Sequence, residues 1–332
     1  MLLKLSLAPI ARLGYRQLPD WAQPDHPVMR NVMGHRTWRW RRFLLQLAGV
    51  VGISVVALTA SYFANQDNGD APPLREVLYW PLVLAQIAAM LFAVAMTANT
   101  VAIERQKGTW DSLKMSLSGV SMTLRARWAA VFFRLGWLLL VISLGRAVYI
   151  GLLLDDLVEF QGRALDLRIS GITPDVSLDL AVILMAALMT AFILEPFVAV
   201  ALAGAIGLGV SVLTRTRSIV ILGLLLLIGV RLAITVAAIV AGGTVFEGDL
   251  GVTTELAELS DTQAWYRLVF ASSEGDMMLK LLNLDTLGQV WADVHYAIYI
   301  GAALLGVVLV QALIANVLVL LAAWWAARPS DV

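Results

Sequence analysis

Residues 178–213 read LDLAVILMAALMTAFILEPFVAVALAGAIGLGVSVL, and after the turn Thr214-Arg215-Thr216-Arg217 residues 218–243 read SIVILGLLLLIGVRLAITVAAIVAGG. A helix needs about 20 apolar residues to cross a bilayer. Each of these runs is longer than that, and away from their ends only Glu195 and Arg231 are charged. Neither run alternates apolar and polar residues with period two, so a membrane β-barrel is excluded. The first run is too long for one straight crossing, and Pro196 is expected to kink it or divide it.

Four more runs of the same kind flank this pair, at 43–64, 81–103, 128–154 and 296–325. The whole chain of 332 residues is 60% hydrophobic and 14% charged, with a mean hydropathy of +0.80. Soluble domains carry about 25% charged residues. The expected fold is therefore all-α, a polytopic membrane protein with six transmembrane helices. An N-terminal segment, 1–42, precedes the transmembrane domain, 43–325, and a short tail, 326–332, follows it.

Charge sets the expected direction. Sixteen Lys and Arg fall in 1–42, 104–127, 214–217 and the tail, against five in the three alternate loops. Positive-inside bias places both termini in the cytoplasm of a plasma membrane. Most acids lie on the other side, among them Asp155, Asp156, Glu247, Glu258 and Asp276. The first apolar run exceeds a signal-peptide core of about 7–15 residues and reads as an uncleaved helix. No lipidation signal is visible.

Composition also removes several functions. The absence of cysteine excludes disulfides, thiol catalysis, iron–sulfur clusters and Cys-based zinc sites. Three scattered histidines build no metal centre, and zero net charge offers no bulk field for nucleic acid. No phosphate-binding G-x-x-x-x-G-K-[ST], no G-x-S-x-G and no H-E-x-x-H occurs, and no second carboxylate stands beside Glu195 in the spans. No cofactor is expected on this chain.

Outside the spans, Leu2, Leu3, Ile10 and Leu13 share one helix face, which suits a segment lying on the membrane surface. After the second run, Trp110, Leu113, Leu117, Val120 and Leu124 recur at spacings of 3, 4, 3 and 4, an apolar stripe on a helix. Thr109 is the expected N-cap, Ser118-Gly119 the break, and Ser121 the cap of the next helix. The long loop 244–295 holds two amphipathic stretches, near Trp265–Phe270 and Met277–Val294, expected to lie at the outer interface. Gly204, Gly207 and Gly209 mark close helix packing.

Four charges fall within spans. Arg134 and Arg146 are near enough to an end to snorkel. Glu195 and Arg231 are deeper, where an uncompensated charge costs about 2.5–3.5 kcal/mol on insertion scales. The expectation is an ion pair, Glu195–Arg231 or Glu195–Arg146, serving either a substrate or ion path or the register of two helices.

Three segments resemble the permease subunit of type-2 ATP-binding-cassette (ABC) transporters. His26-Pro27-Val28-Met29-Arg30 is similar to that family's N-P-V-hydrophobic-R. Ile103-Glu104-Arg105-Gln106-Lys107-Gly108-Thr109-Trp110-Asp111-Ser112-Leu113 is similar to its I-x-x-E-R-E-x-G-T-L-x-x-L. Leu117-Ser118-Gly119-Val120-Ser121 resembles its L-S-P-x-S, with Gly119 in place of Pro, as Gln106 replaces Glu and His26 replaces Asn. The resemblance implies a non-enzymatic subunit that pairs with a second permease chain and is driven by a separate cytoplasmic ATPase, which holds the ATP and magnesium. It also implies that Arg30 and the segment Glu104, Arg105, Lys107, Gly108, Thr109, Trp110, Asp111 and Leu113 touch that ATPase. Two other classes stay open: an ion-coupled secondary transporter using Glu195, and an intramembrane enzyme using Glu195 and Arg231.

Overall fold

The computed structural model describes residues 18–23, 26–33, 40–64, 72–106, 108–110, 119–170, 172–214, 217–246, 261–274, 276 and 278–328. Among them every regular element is helical and no strand occurs. In chain order these are α1 (Pro27–Met33), α2 (Trp40–Ala64), α3 (Leu74–Ala98), α4 (Thr100–Gln106), α5 (Gly119–Gly162) and α6 (Ala164–Ile169). There follow α7 (Leu178–Leu213), α8 (Arg217–Phe246), α9 (Asp261–Glu274), α10 (Met278–Leu281), α11 (Leu284–Asp293) and α12 (Ile300–Ala327). The expected surface helix over 1–18 lies outside the described residues apart from Leu18. So do 107 and 111–118, hence Leu113 and Leu117 of the apolar stripe.

Five stretches are long and apolar enough to cross a membrane: Leu74–Gln106, Gly119–Gly162, Leu178–Leu213, Ser218–Ala241 and Ala297–Ala327. The expected first span corresponds to α2, whose described apolar stretch, Gly52–Ala64, is shorter. Large apolar side chains face outward along these helices, including Leu222, Leu225 and Leu226 of α8 and Leu309, Leu313 and Leu321 of α12. Each would cost about 25 cal/mol per Å² in water, so the surface suits embedding in lipid.

The central helix is α7, which packs against α3, α5 and α12. Its small residues permit this. A Cβ on Gly207 would lie 2.8 Å from the Val94 carbonyl oxygen of α3, and one on Gly301 of α12 would lie 2.3 Å from the Leu184 carbonyl oxygen of α7. Backbones this close leave no room for a side chain. A Cβ at Gly204 would meet Trp128 at 3.4 Å and Thr97 at 3.8 Å, both ordinary contacts, and one at Gly209 would face open space, so the packing expectation holds at Gly207 most strongly.

Three expectations about helix boundaries are revised. Helix α7 runs unbroken through Pro196. The second span begins at Leu74 and steps at Asn99 into α4. The third begins at Gly119, whose φ of +65° favours glycine, so Ser121 lies inside it rather than capping it. At its other end Glu159 turns extended and Phe160, Gln161 and Gly162 take positive φ, sending the chain into α6.

The helices define two ends. One carries Arg105, Arg125 and Arg127 (the basic end); the other carries Asp155, Asp156, Asp285 and Asp293 (the acidic end). Elements α6, α9, α10 and α11 pack into the bundle at the acidic end. Leu268, Leu279, Leu281, Leu287 and Trp291 are buried in one core with Leu184, Leu188 and Phe192 of α7 and Leu304 of α12. Helix α9 descends beside α8 and α12 until Glu274 meets Arg231, near the middle of α8. The periodicity of this loop was legible, but its depth is set by tertiary packing.

Candidate functional site

Two constellations gather the residues singled out by sequence. The first is at the basic end. Glu104 Oε1 accepts from Arg127 Nη2 at 2.7 Å, while Arg127 Nη1 donates to the Thr100 carbonyl at 2.7 Å. Arg105 reaches the other way, its Nη1 donating to the Thr214 carbonyl at 3.0 Å and its Nη2 to the Val212 carbonyl at 3.3 Å. The Val101 N–H donates to Ser211 Oγ at 2.8 Å. One short helix, α4, is thus bonded both to the start of α5 and to the end of α7.

Gly108 closes α4, with φ +68° and its N–H donating to the Arg105 carbonyl at 3.1 Å. The Thr109 hydroxyl donates back to the Glu104 carboxylate, and a helical residue, Trp110, follows it directly; the rest of the helix that Thr109 is expected to cap lies outside the described residues. Trp110 is buried against Val120, Leu124, Ala205 and Leu208, and the Arg105 guanidinium lies 5.8 Å from its ring centre. Lys107, Asp111 and Leu113 lie outside the described residues. Arg30 is exposed on α1, which seats Met29 against Ala126, Ala129 and Ala130 of α5. Arg134 is exposed, and its Nη2 donates to the Val32 carbonyl of α1 at 3.0 Å.

The second constellation lies mid-bundle. Arg146 is fully buried rather than snorkelling. Its Nη2 donates to Glu195 Oε2 at 2.8 Å and to Asp276 Oδ1 at 2.6 Å, and its Nη1 donates to the Phe192 carbonyl at 2.6 Å. Its guanidinium also stacks 4.6 Å from the Phe192 ring centre. The Phe192 carbonyl is the one that Pro196, lacking an N–H, leaves without its i+4 donor. Arg146 replaces that donor, which explains how α7 continues through the proline.

Of the two pairings expected for Glu195, the structure forms the one with Arg146. Arg231 instead binds Glu274, with its Nη2 3.3 Å from Met90 Sδ. Gln311 Nε2 donates to Glu274 Oε1 at 3.3 Å. The expectation that no second carboxylate stands near Glu195 is corrected, because Asp276 shares its guanidinium. Burial pushes the Asp276 carboxyl up from the ordinary carboxylate range, opposed by Arg146. Sequence reading missed Glu274, Asp276 and Gln311 as partners. Their signal was weak, because acids in a long acidic loop look solvated.

Glu195 and Arg231 do share a cavity of about 760 Å³, open mouth included, between α3, α7 and α8. Its walls are otherwise almost wholly apolar, including Leu91, Val94, Leu202, Ile206 and Leu227. Among the described residues no cluster of three His, Cys, Asp or Glu is placed to hold a metal. The arrangement can hold buried charge beside an apolar chamber. The sequence matches no protein-family model, and no curated protein or solved structure shows significant similarity to it.

Proposed function

We propose that this chain is the membrane permease subunit of a type-2 ABC exporter. In this reading α2, α3, α5, α7, α8 and α12 are six spans of the plasma membrane, and the basic end and both termini face the cytoplasm. Two permease chains form the pathway, and a separate cytoplasmic ATPase drives it. The chain itself is not an enzyme and carries no cofactor.

The observation that carries this reading is the double tie of α4. A partner pressing on Glu104–Trp110 pushes α3 through covalent continuity, α5 through Arg127, and the α7–α8 turn through Arg105. A short element with Gln106, Gly108 and Thr109 exposed and linked to three long helices suits a lever worked by a soluble motor. Arg30 is exposed on α1, which packs on the same stretch of α5 as Arg127, and in this reading it adds a second contact.

The test is reconstitution with the ATPase recovered by mild-detergent pull-down. Glu104→Ala removes the acceptor of Arg127, and Gly108→Pro removes an N–H and forbids the positive φ. Both variants are expected to insert normally while ATP hydrolysis proceeds without transport. Unchanged coupling in both would refute the docking role.

One observation favours a second reading: Glu195 beside a cavity suits an ion-coupled carrier. Transport that follows a proton gradient and needs no ATPase would establish that alternative.

A further inference from the structure

The mid-bundle charges do not cancel. The charged groups acting on Glu195 are Arg146, Asp276, Arg231 and Glu274. With Glu195 they make, when all are ionised, three carboxylates and two guanidiniums, a formal charge of −1 that either a proton on one of the acids or an added cation would balance. In a low-dielectric interior an unbalanced charge is costly until a counter-charge arrives. Arg231 has Glu274 as its partner, and Arg146 has two carboxylates. The surplus is therefore negative.

The cavity tells where that counter-charge is admitted. Glu195 is only 5% exposed, and it lines the cavity. Its Oε2 is held by Arg146, while its Oε1 accepts no hydrogen bond among the described residues. That oxygen is not one of the enclosed unpartnered atoms, so on a residue lining the cavity it is an acceptor open to something outside the protein. The wall also carries Gln311 and Arg231, whose charge Glu274 balances, and the rest of it, including Leu91, Val94, Leu202, Ile206 and Leu227, matches hydrocarbon.

We propose that this cavity binds a lipophilic monocation, its ammonium head against Glu195 and its apolar body between α3, α7 and α8. Specificity comes from charge at one point and from shape elsewhere. An anion would meet the surplus carboxylate, and a neutral molecule would leave it unpaired. Transport of such a molecule rests on the permease reading above, but binding does not, so binding is measured on the full chain without nucleotide or ATPase.

The probe is tritiated (4-phenylbutyl)trimethylammonium, measured by scintillation proximity on the full chain in lipid nanodiscs. Its competitor is the neutral isostere with carbon in place of nitrogen. Saturable binding of the cation is expected, with the isostere weaker by about tenfold or more. Glu195→Gln keeps the acceptor for Arg146 but removes the charge, and is expected to weaken the cation by a similar factor while leaving the isostere unaffected. Ile206→Trp fills the chamber away from the charges and is expected to abolish binding of the cation with the fold intact. Equal affinity for cation and isostere, full cation binding in Glu195→Gln, or saturable binding surviving in Ile206→Trp would each overturn the proposal. Absence of binding with coupling to the ATPase intact would overturn this inference alone.

Discussion

Arg146 donates to the Phe192 carbonyl at 2.6 Å, the carbonyl that Pro196 deprives of its helical partner. The same guanidinium holds Glu195, the residue preceding that proline, and Asp276 from the descending segment after α9. One side chain therefore repairs a helix, neutralises its buried acid and anchors a third element. Arg146→Met would leave two carboxylates and a carbonyl unpaired in the interior. Removing one partner of a buried ion pair costs about 3–5 kcal/mol. The variant is expected to be strongly destabilised or to fail to accumulate, and adding Glu195→Gln and Asp276→Asn is expected to restore much of the loss. Thermal midpoints of the detergent-solubilised full chain check both statements.

The pairing itself is tested by double-mutant cycles. Glu195→Gln and Arg146→Gln should be non-additive, because Glu195 and Arg146 share a hydrogen bond. Glu195→Gln and Arg231→Gln should be closer to additive, since Arg231 bonds Glu274. Stronger coupling in the second cycle would show that Arg231 is the true counter-ion.

How far the sequence reaches is visible in these residues. Glu195, Pro196 and the long apolar runs stand out, because composition and period report local structure directly. Of the stripe, Trp110, Val120 and Leu124 are buried in one core, while Leu113 and Leu117 lie outside the described residues. The partners Glu274 and Asp276 were not legible. They belong to a loop whose polar composition suggests solvent, and only its descent between α8 and α12 takes them inward. The uncut helix at Pro196 was hidden for a related reason, since the donor that rescues it lies 46 positions away on another helix.

Asp276 gives a pH signature. Its folded carboxyl is pushed upward by burial, so the folded state takes up a proton more readily than the unfolded chain. Stability from this group is therefore lost as pH rises through the raised folded value and regained as pH falls toward the ordinary carboxylate range. Asp276→Asn should flatten that slope, measured as thermal midpoint from about pH 4 to about pH 8. Because Glu195 shares Arg146, the slope removed belongs to the pair of acids. An identical slope in the variant would dissociate Asp276 from it.

The glycines of α7 separate close approach from mere composition. A Cβ at Gly207 would sit 2.2 Å from Thr97 Oγ1 and 2.8 Å from the Val94 carbonyl oxygen. The backbone atom cannot rotate away, so Gly207→Val should lower stability by about 1–3 kcal/mol or more as α3 and α7 part. Gly209→Ala meets nothing within 4 Å and should be neutral or slightly stabilising, because alanine restricts the unfolded chain. Comparable losses at both positions would show that α3 and α7 are not in contact at Gly207.

Arg105 distinguishes a structural tie from a transmitting one. Its two bonds to Val212 and Thr214 carbonyls are half-buried, so Arg105→Gln should cost about 1–2 kcal/mol, less than a fully enclosed charged bond. A merely stabilising contact would lower the thermal midpoint and leave coupling unchanged in the molecules that remain folded. On the permease reading proposed above, a transmitting contact would reduce transport per ATP hydrolysed well below the folded fraction, because the push on α4 would reach the end of α7 only through the Val101–Ser211 hydrogen bond. The second outcome is expected from the geometry, since no covalent connection shorter than α5 and α7 together links α4 to that turn. Measuring transport and hydrolysis on the same proteoliposomes, with folded fraction determined in parallel, separates the two.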